Sequence, residues 1–237
     1  MGATLAKNRG GVSVHTLHPV PSGGTVFYGS LPGDSETCKE LLIAALWDHL
    51  QATATPLDHC RPSSRAACSL QLLYGPLGRP YTRMGENRGP AISFSRAGGR
   101  VWAALSGDES VVGIDLAEFA EFQGAYPLQR VFNPEELHHA EKVTNGDRAE
   151  AAALLWSVKE AVVKALGCGF HLVDPRQISV HPSAGGEGGY TFPVDLSGKA
   201  RSRFPLAPGQ FLGVHSLLQG KMWLSIAVIN SLQVVHE

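Results

Sequence analysis

Two stretches of this 237-residue chain carry side chains whose types and spacing can do chemistry. In Val112-Gly113-Ile114-Asp115-Leu116 one carboxylate, Asp115, follows a glycine inside an apolar run that reads as a strand. The other stretch is Trp156-Ser157-Val158-Lys159-Glu160-Ala161-Val162-Val163-Lys164. Here Trp156, Glu160 and Lys164 recur every fourth residue, so on a helix they stack along one face. Leu154, Val158, Val162 and Ala165 form a separate apolar stripe. A carboxylate and an ammonium one turn apart suit a site for phosphate and a divalent metal. They also describe a surface ion pair worth about 0.3–0.5 kcal/mol, and spacing alone leaves both readings open.

Taken together, the Gly-Ile-Asp and Trp-Ser-x-Lys-Glu-Ala-x-x-Lys segments resemble the paired signature of the 4'-phosphopantetheinyl transferase superfamily. Gly78-Arg79-Pro80 resembles the Gly-Lys-Pro element that precedes that signature. Phe94-Ser95-Arg96-Ala97-Gly98 stands where the family usually shows Ser-His-Ser-Gly. The resemblance covers about Tyr74 to Phe170, and by length the chain is similar to the monomeric, Sfp-type branch. That branch implies an α+β pseudo-dimer of two similar halves, with coenzyme A in the cleft between them.

The implied reaction moves the phosphopantetheine arm of coenzyme A onto a serine of an apo acyl or peptidyl carrier protein, releasing adenosine 3',5'-bisphosphate. The resemblance implies magnesium held by Asp115 and Glu160. It makes Glu160 the usual base, with Lys164 stabilising the transferring phosphoryl group or itself taking the proton. It implies coenzyme A contacts from Arg79, Ser95, Arg96, Lys159 and Lys164, with Arg61 and Arg65 as candidates for the 3'-phosphate. A solvated Lys159, a turn role for Ser95 and ordinary loop charges at Arg61 and Arg65 are the competing readings. The segment Phe119 to Val143 is implied to help receive the carrier protein.

Two positions depart from the family pattern. The second acid usual two residues after the aspartate is Ala117 here, with Glu118 one residue later. Successive strand residues point to opposite faces, so Glu118 reaches a metal only if the strand ends or bulges there. Water is the expected ligand at that coordination site. Arg96 replaces the usual histidine, and its permanent forked charge suits phosphate. These departures support the alternative of a catalytically inactive family member that binds coenzyme A or carrier proteins. An unrelated nucleotide-binding protein would instead leave Asp115 and Glu160 far apart.

The elements that must position these residues are legible in part. Arg148 to Leu166 is the strongest helix pattern, closed by Gly167. Pro134 to Val143 reads as a shorter helix behind Asn133, and Glu36 to Gln51 as an amphipathic one led by Asp34 and Ser35. His138 and His139 diverge by about 100° on a helix and read as a solvated pair.

Strands are expected over residues 12–20, 25–28, 100–105, 111–116, 177–181, 190–195, 210–218 and 222–229. Residues 106–110 read as a hairpin connection, and Gln219-Gly220 as another. Loops are expected over 52–65 and from the turn at 75–80 to Pro90, while 66–74 fits helix or strand. Halves spanning 1–110 and 111–237 are expected.

A charge of -1, from 20 Lys and Arg against 21 Asp and Glu, gives no support to nonspecific nucleic-acid binding. The four cysteines lack C-x-x-C spacing, so reduced thiols are expected rather than a disulfide frame or zinc site. No apolar run approaches the ~20 residues of a membrane span, and no apolar h-region follows Lys7 and Arg9. The expectation is a cytoplasmic monomer.

Overall fold

The computed structural model describes residues 11–17, 25–53, 70–75, 78–107, 110–186, 189–206 and 212–229. The chain divides into two compact units, residues 1–109 and 110–237. The architecture is mixed α/β.

In the first unit the elements are β1 (Ser13–Leu17), β2 (Val26–Pro32), α1 (Glu36–Thr53), β3 (Leu70–Tyr74), β4 (Pro80–Met84), β5 (Asn87–Arg88), β6 (Ile92–Ala97) and β7 (Arg100–Ser106). One sheet has the order β1-β2-β7-β6 and a second the order β3-β4-β5. Ser35 starts α1 by accepting the Cys38 amide on its hydroxyl (3.2 Å). Leu42 and Leu46, one turn apart, are fully buried with Phe27, Leu31, Val101 and Leu105 of the sheet. Residues 80–88, expected as loop, instead form β4 and β5. These strands are short, five and two residues, and meet at a tight turn through Gly85, so no period-2 pattern announces them.

The second unit contains β8 (Val111–Glu118), α2 (Pro134–Val143), α3 (Arg148–Leu166), β9 (Ile178–Val180), β10 (Ala184–Gly186), β11 (Gly189–Leu196), α4 (Gly198–Arg203), β12 (Leu212–Gln219) and β13 (Met222–Ile229). Its sheet runs β10-β11-β12-β13-β8, with β9 on β11. The turn at Gly220 (φ 64°) closes β12 onto β13 in the expected hairpin. β7 and β8 do not form the expected hairpin: β7 pairs with β2 and β6, and β8 with β13. Both are apolar runs around a turn-like segment, and that local signal carries no information on long-range partners.

The units share a plan. A strand leads into a helix, and the last strand of a later hairpin pairs antiparallel with the first: β2, α1 and β6-β7 in one, β8, α3 and β12-β13 in the other. In the second unit Asp147 caps α3, its Oδ1 accepting the Ala149 and Glu150 amides at 2.9 and 3.0 Å. Gly167, at φ 74°, ends it as expected. Helix α3 then lies on β8 and β13, burying Leu154, Val158, Val162 and Ala165.

One close approach sets how near α3 comes. A Cβ placed on Gly113 would sit 2.5 Å from the Ala165 nitrogen and nearer still to the Ala161 carbonyl oxygen. Both are backbone atoms, which cannot swing aside. Gly113→Ala is expected to lower the unfolding free energy by about 2–3 kcal/mol, read from urea denaturation. An unchanged midpoint would contradict the contact.

Candidate active site

Asp115 lies two residues beyond Gly113, on the same face of β8, and therefore under α3. Its side chain is nearly buried, while that of Lys164 keeps 28% exposure. The Lys164 Nζ donates to Asp115 Oδ1 at 2.6 Å and to the Ile114 carbonyl at 3.1 Å. Glu160 stands one turn before Lys164. Burial first, and repulsion from Asp115 second, push its carboxyl from the ordinary 4.5 up to about 7, with Lys164 pulling the other way. Asp115 thus meets the motif helix at Lys164, and its charge is felt at Glu160.

This arrangement holds two carboxylates and one ammonium where a helix meets a strand. Glu160 is poised to exchange a proton near neutral pH. The carboxylate pair offers hard oxygen ligands of the kind magnesium takes. No third acid joins them: among the described residues no group of three or more His, Cys, Asp or Glu side chains could hold a metal. Ala117 is buried, and β8 runs without a bulge to Glu118, paired opposite Met222. Alternation places Glu118 on the face opposite Asp115.

The structure corrects the expectation for Lys159. Its side chain is fully buried, reaching Glu136 Oε1 at 2.5 Å and the carbonyls of Pro175 and Val131 at 2.8 and 3.2 Å. Neither a phosphate contact nor a solvated lysine describes it. Glu136 also accepts the Asn133 and Val180 amides, at 2.8 and 3.1 Å. This buried pair therefore ties α2, α3 and β9 together. Burial lowers the Lys159 pKa, and the Glu136 charge opposes that shift.

Other motif positions are structural too. Trp156 packs against Phe170, ring centroids 5.0 Å apart, and Phe122, at 6.4 Å. Ala161 and Ala165 supply the backbone that meets Gly113.

Arg79, Ser95 and Arg96 belong to the first unit. Ser95 and Arg96 are neighbours on β6, so their side chains leave opposite faces: Ser95 is buried, and the exposed Arg96 donates to the Asp34 carbonyl at 3.3 Å. They do not form one strand-face cradle. The Arg79 carbonyl accepts the Gly75 amide at 2.9 Å. Arg61 and Arg65 lie outside the described residues. Cys38 and Cys168 are free thiols, and Cys60 and Cys68 lie outside the described residues. No helix among the described residues is long and apolar enough to cross a membrane.

Two stability measurements test these assignments. Glu136→Gln leaves the Lys159 charge buried without its counter-ion, and a loss of about 3 kcal/mol is expected in urea unfolding; a phosphate-binding, solvent-facing lysine predicts almost none. Glu160 ionises near 4.5 in the unfolded chain and near 7 in the fold. The fold therefore holds the extra proton between those values, and wild-type stability falls as pH rises through them. Allowing for its partial exposure, Glu160→Gln should gain about 1–2 kcal/mol on wild type between pH 5 and pH 8. A pH-independent difference would contradict the environment described.

Residues 111–204 match the sequence model of the 4'-phosphopantetheinyl transferase superfamily. A Synechocystis sp. protein named provisionally as a 4'-phosphopantetheinyl transferase is 33% identical over 101 residues, which is 42% of this chain and 41% of that relative. The match thus spans about two fifths of the relative's own length. Among solved structures, the ACPS–CoA complex of Chronobacterium ammoniagenes matches at 22% identity and a TM-score of 0.42, covering 52% of this chain and 98% of that one. The holo-[acyl-carrier-protein] synthase of Neisseria meningitidis matches at 23% identity and a TM-score of 0.39, covering 51% and 97%. Over residues 111–204, which hold Asp115, Glu160 and Lys164, this chain carries the sequence pattern of the 4'-phosphopantetheinyl transferase superfamily.

Proposed function

We propose that this protein transfers the 4'-phosphopantetheine group of coenzyme A to a serine hydroxyl of an apo acyl or peptidyl carrier protein, releasing adenosine 3',5'-bisphosphate. The observation that carries the reading is Glu160, raised to about 7 beside the Asp115–Lys164 pair, inside the family-matched segment. Attack by an alcohol on a pyrophosphate needs a base for the alcohol proton and positive charge for the phosphoryl oxygens. Glu160 takes the serine proton. Lys164, 28% exposed, turns its ammonium to the transferring phosphoryl group, and Asp115 holds that ammonium in place. Asp115 and Glu160 are the residues that would hold magnesium, which supplies Lewis-acid neutralisation of phosphate charge when bound.

Arg79 and Arg96 are assigned to the coenzyme's phosphates by their place in the sequence pattern, Arg96 as the forked donor in the usual histidine position. Arg61 and Arg65 remain candidates for the 3'-phosphate. Ser95, buried on the other face of β6, is a weaker candidate than Arg96. The reading includes magnesium dependence, a monomer of the Sfp-type branch and a carrier protein received by residues 119–143.

Ala117 in place of a second acid favours one other reading, an inactive member that binds coenzyme A or carriers without transfer. Incubation with coenzyme A, magnesium and a panel of apo carriers, read by intact mass, decides between the two. Transfer predicts the phosphopantetheine mass gain on at least one carrier, lost on chelation, with the rate lowered about 10²–10⁴-fold in Glu160→Gln. Coenzyme A binding without mass gain on any carrier would establish the inactive reading.

A further inference from the structure

Asp115 ends a polar row that neither motif predicts. The register sets Asp115 of β8 opposite Ser225 of β13, and Ser225 opposite Ser216 of β12. The three therefore lie side by side across the sheet, on the face that α3 covers. Nearby positions on that face are Gly113, Ala117, Trp223 and Ala227, so the row is a polar line in an apolar floor.

Ser157 descends from α3 onto its middle. The Ser157 and Ser225 hydroxyl oxygens are 2.7 Å apart, those of Ser225 and Ser216 are 2.8 Å apart, and all three serines are fully buried.

The protons have a forced order. Ser157 gives its only hydroxyl proton to the Leu154 carbonyl, 2.9 Å away. Ser225 must then donate to Ser157, and Ser216 to Ser225. A short directional chain tolerates little sliding, because a helix displaced along the sheet loses hydroxyl bonds that no water can replace in a buried layer. Ser157 lies three residues before Glu160 and seven before Lys164 on the same rigid helix. The middle member of the chain, Ser225, is the cross-strand neighbour of Asp115.

We infer that Ser225 is a positioning residue of the site: through Ser157 it fixes the register of α3 on the sheet and so sets Glu160 and Lys164 against Asp115. This rests on the reading of Asp115 and Glu160 as a cation-holding pair.

The test uses the full chain and Mn²⁺ as the probe, its affinity measured by electron paramagnetic resonance. Transfer kinetics and the thermal midpoint are recorded alongside. The variants are Ser225→Ala, Ser225→Thr, Ser157→Ala and Val194→Ala, the last a core truncation on β11 where it pairs with β9, away from the row. Ser225→Ala is expected to weaken Mn²⁺ about tenfold and to lower kcat similarly, with KM for coenzyme A within twofold of wild type. Ser225→Thr, which keeps a hydroxyl, stays within threefold of wild type in both. Val194→Ala lowers the thermal midpoint without moving Mn²⁺ affinity.

Should Ser225→Ala fail to fold, Ser157→Ala removes the other partner of the same contact and is expected to show the same tenfold loss. Wild-type Mn²⁺ affinity in the alanine variants, or a loss equal to that in Val194→Ala, overturns the inference. So does a wild-type protein that binds no Mn²⁺. A wild type that binds Mn²⁺ yet modifies no carrier would overturn the transferase reading alone, and the affinity series would still decide the role of Ser225.

Discussion

The site depends on how closely one helix backbone can approach one strand. At Gly113 the absence of a side chain lets α3 settle onto β8 at Ala161 and Ala165, nearer than any Cβ would allow. Asp115 comes two residues later on the strand, and Glu160 and Lys164 each immediately precede a contact residue on the helix. The separation of the charged groups therefore follows from backbone packing rather than from their own attraction. The 2.6 Å pair between Asp115 and Lys164 is then affordable at partial exposure, because the packing has already brought the two side chains together.

Within the nine-residue helix motif, charge has been divided between two environments. Lys159 is fully buried, and its ammonium joins elements through Glu136 of α2 and the carbonyls of Val131 and Pro175. Removing one partner of such a pair strands a charge, so the pair specifies one arrangement of α2 against α3 more than it adds net stability. Lys164 and Glu160 stay partly open, where a charge can be exchanged with a ligand. Ser157 and Trp156 face the sheet and the aromatic cluster. The motif, about two and a half helical turns long, thus carries residues that hold the helix and residues whose charge stays accessible side by side. The reason is geometric, since successive residues on a helix point about 100° apart.

What was legible in the sequence follows from which forces are local. The helices 134–143 and 148–166 were readable because their signals are local: Asn133 and Pro134 at the start of one, and a run of helix formers closed by Gly167 in the other. That Asp115 meets the motif helix, at Lys164, was readable through the resemblance and not through spacing. The role of Lys159 was not readable, because Glu136 lies 23 residues away and no local pattern marks their meeting. Ser225 was still less visible, 68 residues from Ser157 and outside both motifs. β4 and β5 were missed because strands of two to five residues containing Pro and Asn resemble a loop. The connection between β7 and β8 was misread because a turn between apolar runs does not say which strand each run will join.

The claim that most needs direct observation is that Asp115 and Glu160 act as one cation-holding pair facing the coenzyme's pyrophosphate. Crystals grown with coenzyme A and Mn²⁺, and an anomalous difference map at the manganese edge, would show it. The account predicts a single strong peak liganded by one oxygen from each of Asp115 and Glu160 and by a pyrophosphate oxygen, with Lys164 turned toward phosphate. A peak elsewhere on the protein, or coenzyme A bound while Glu160 faces solvent, would contradict it.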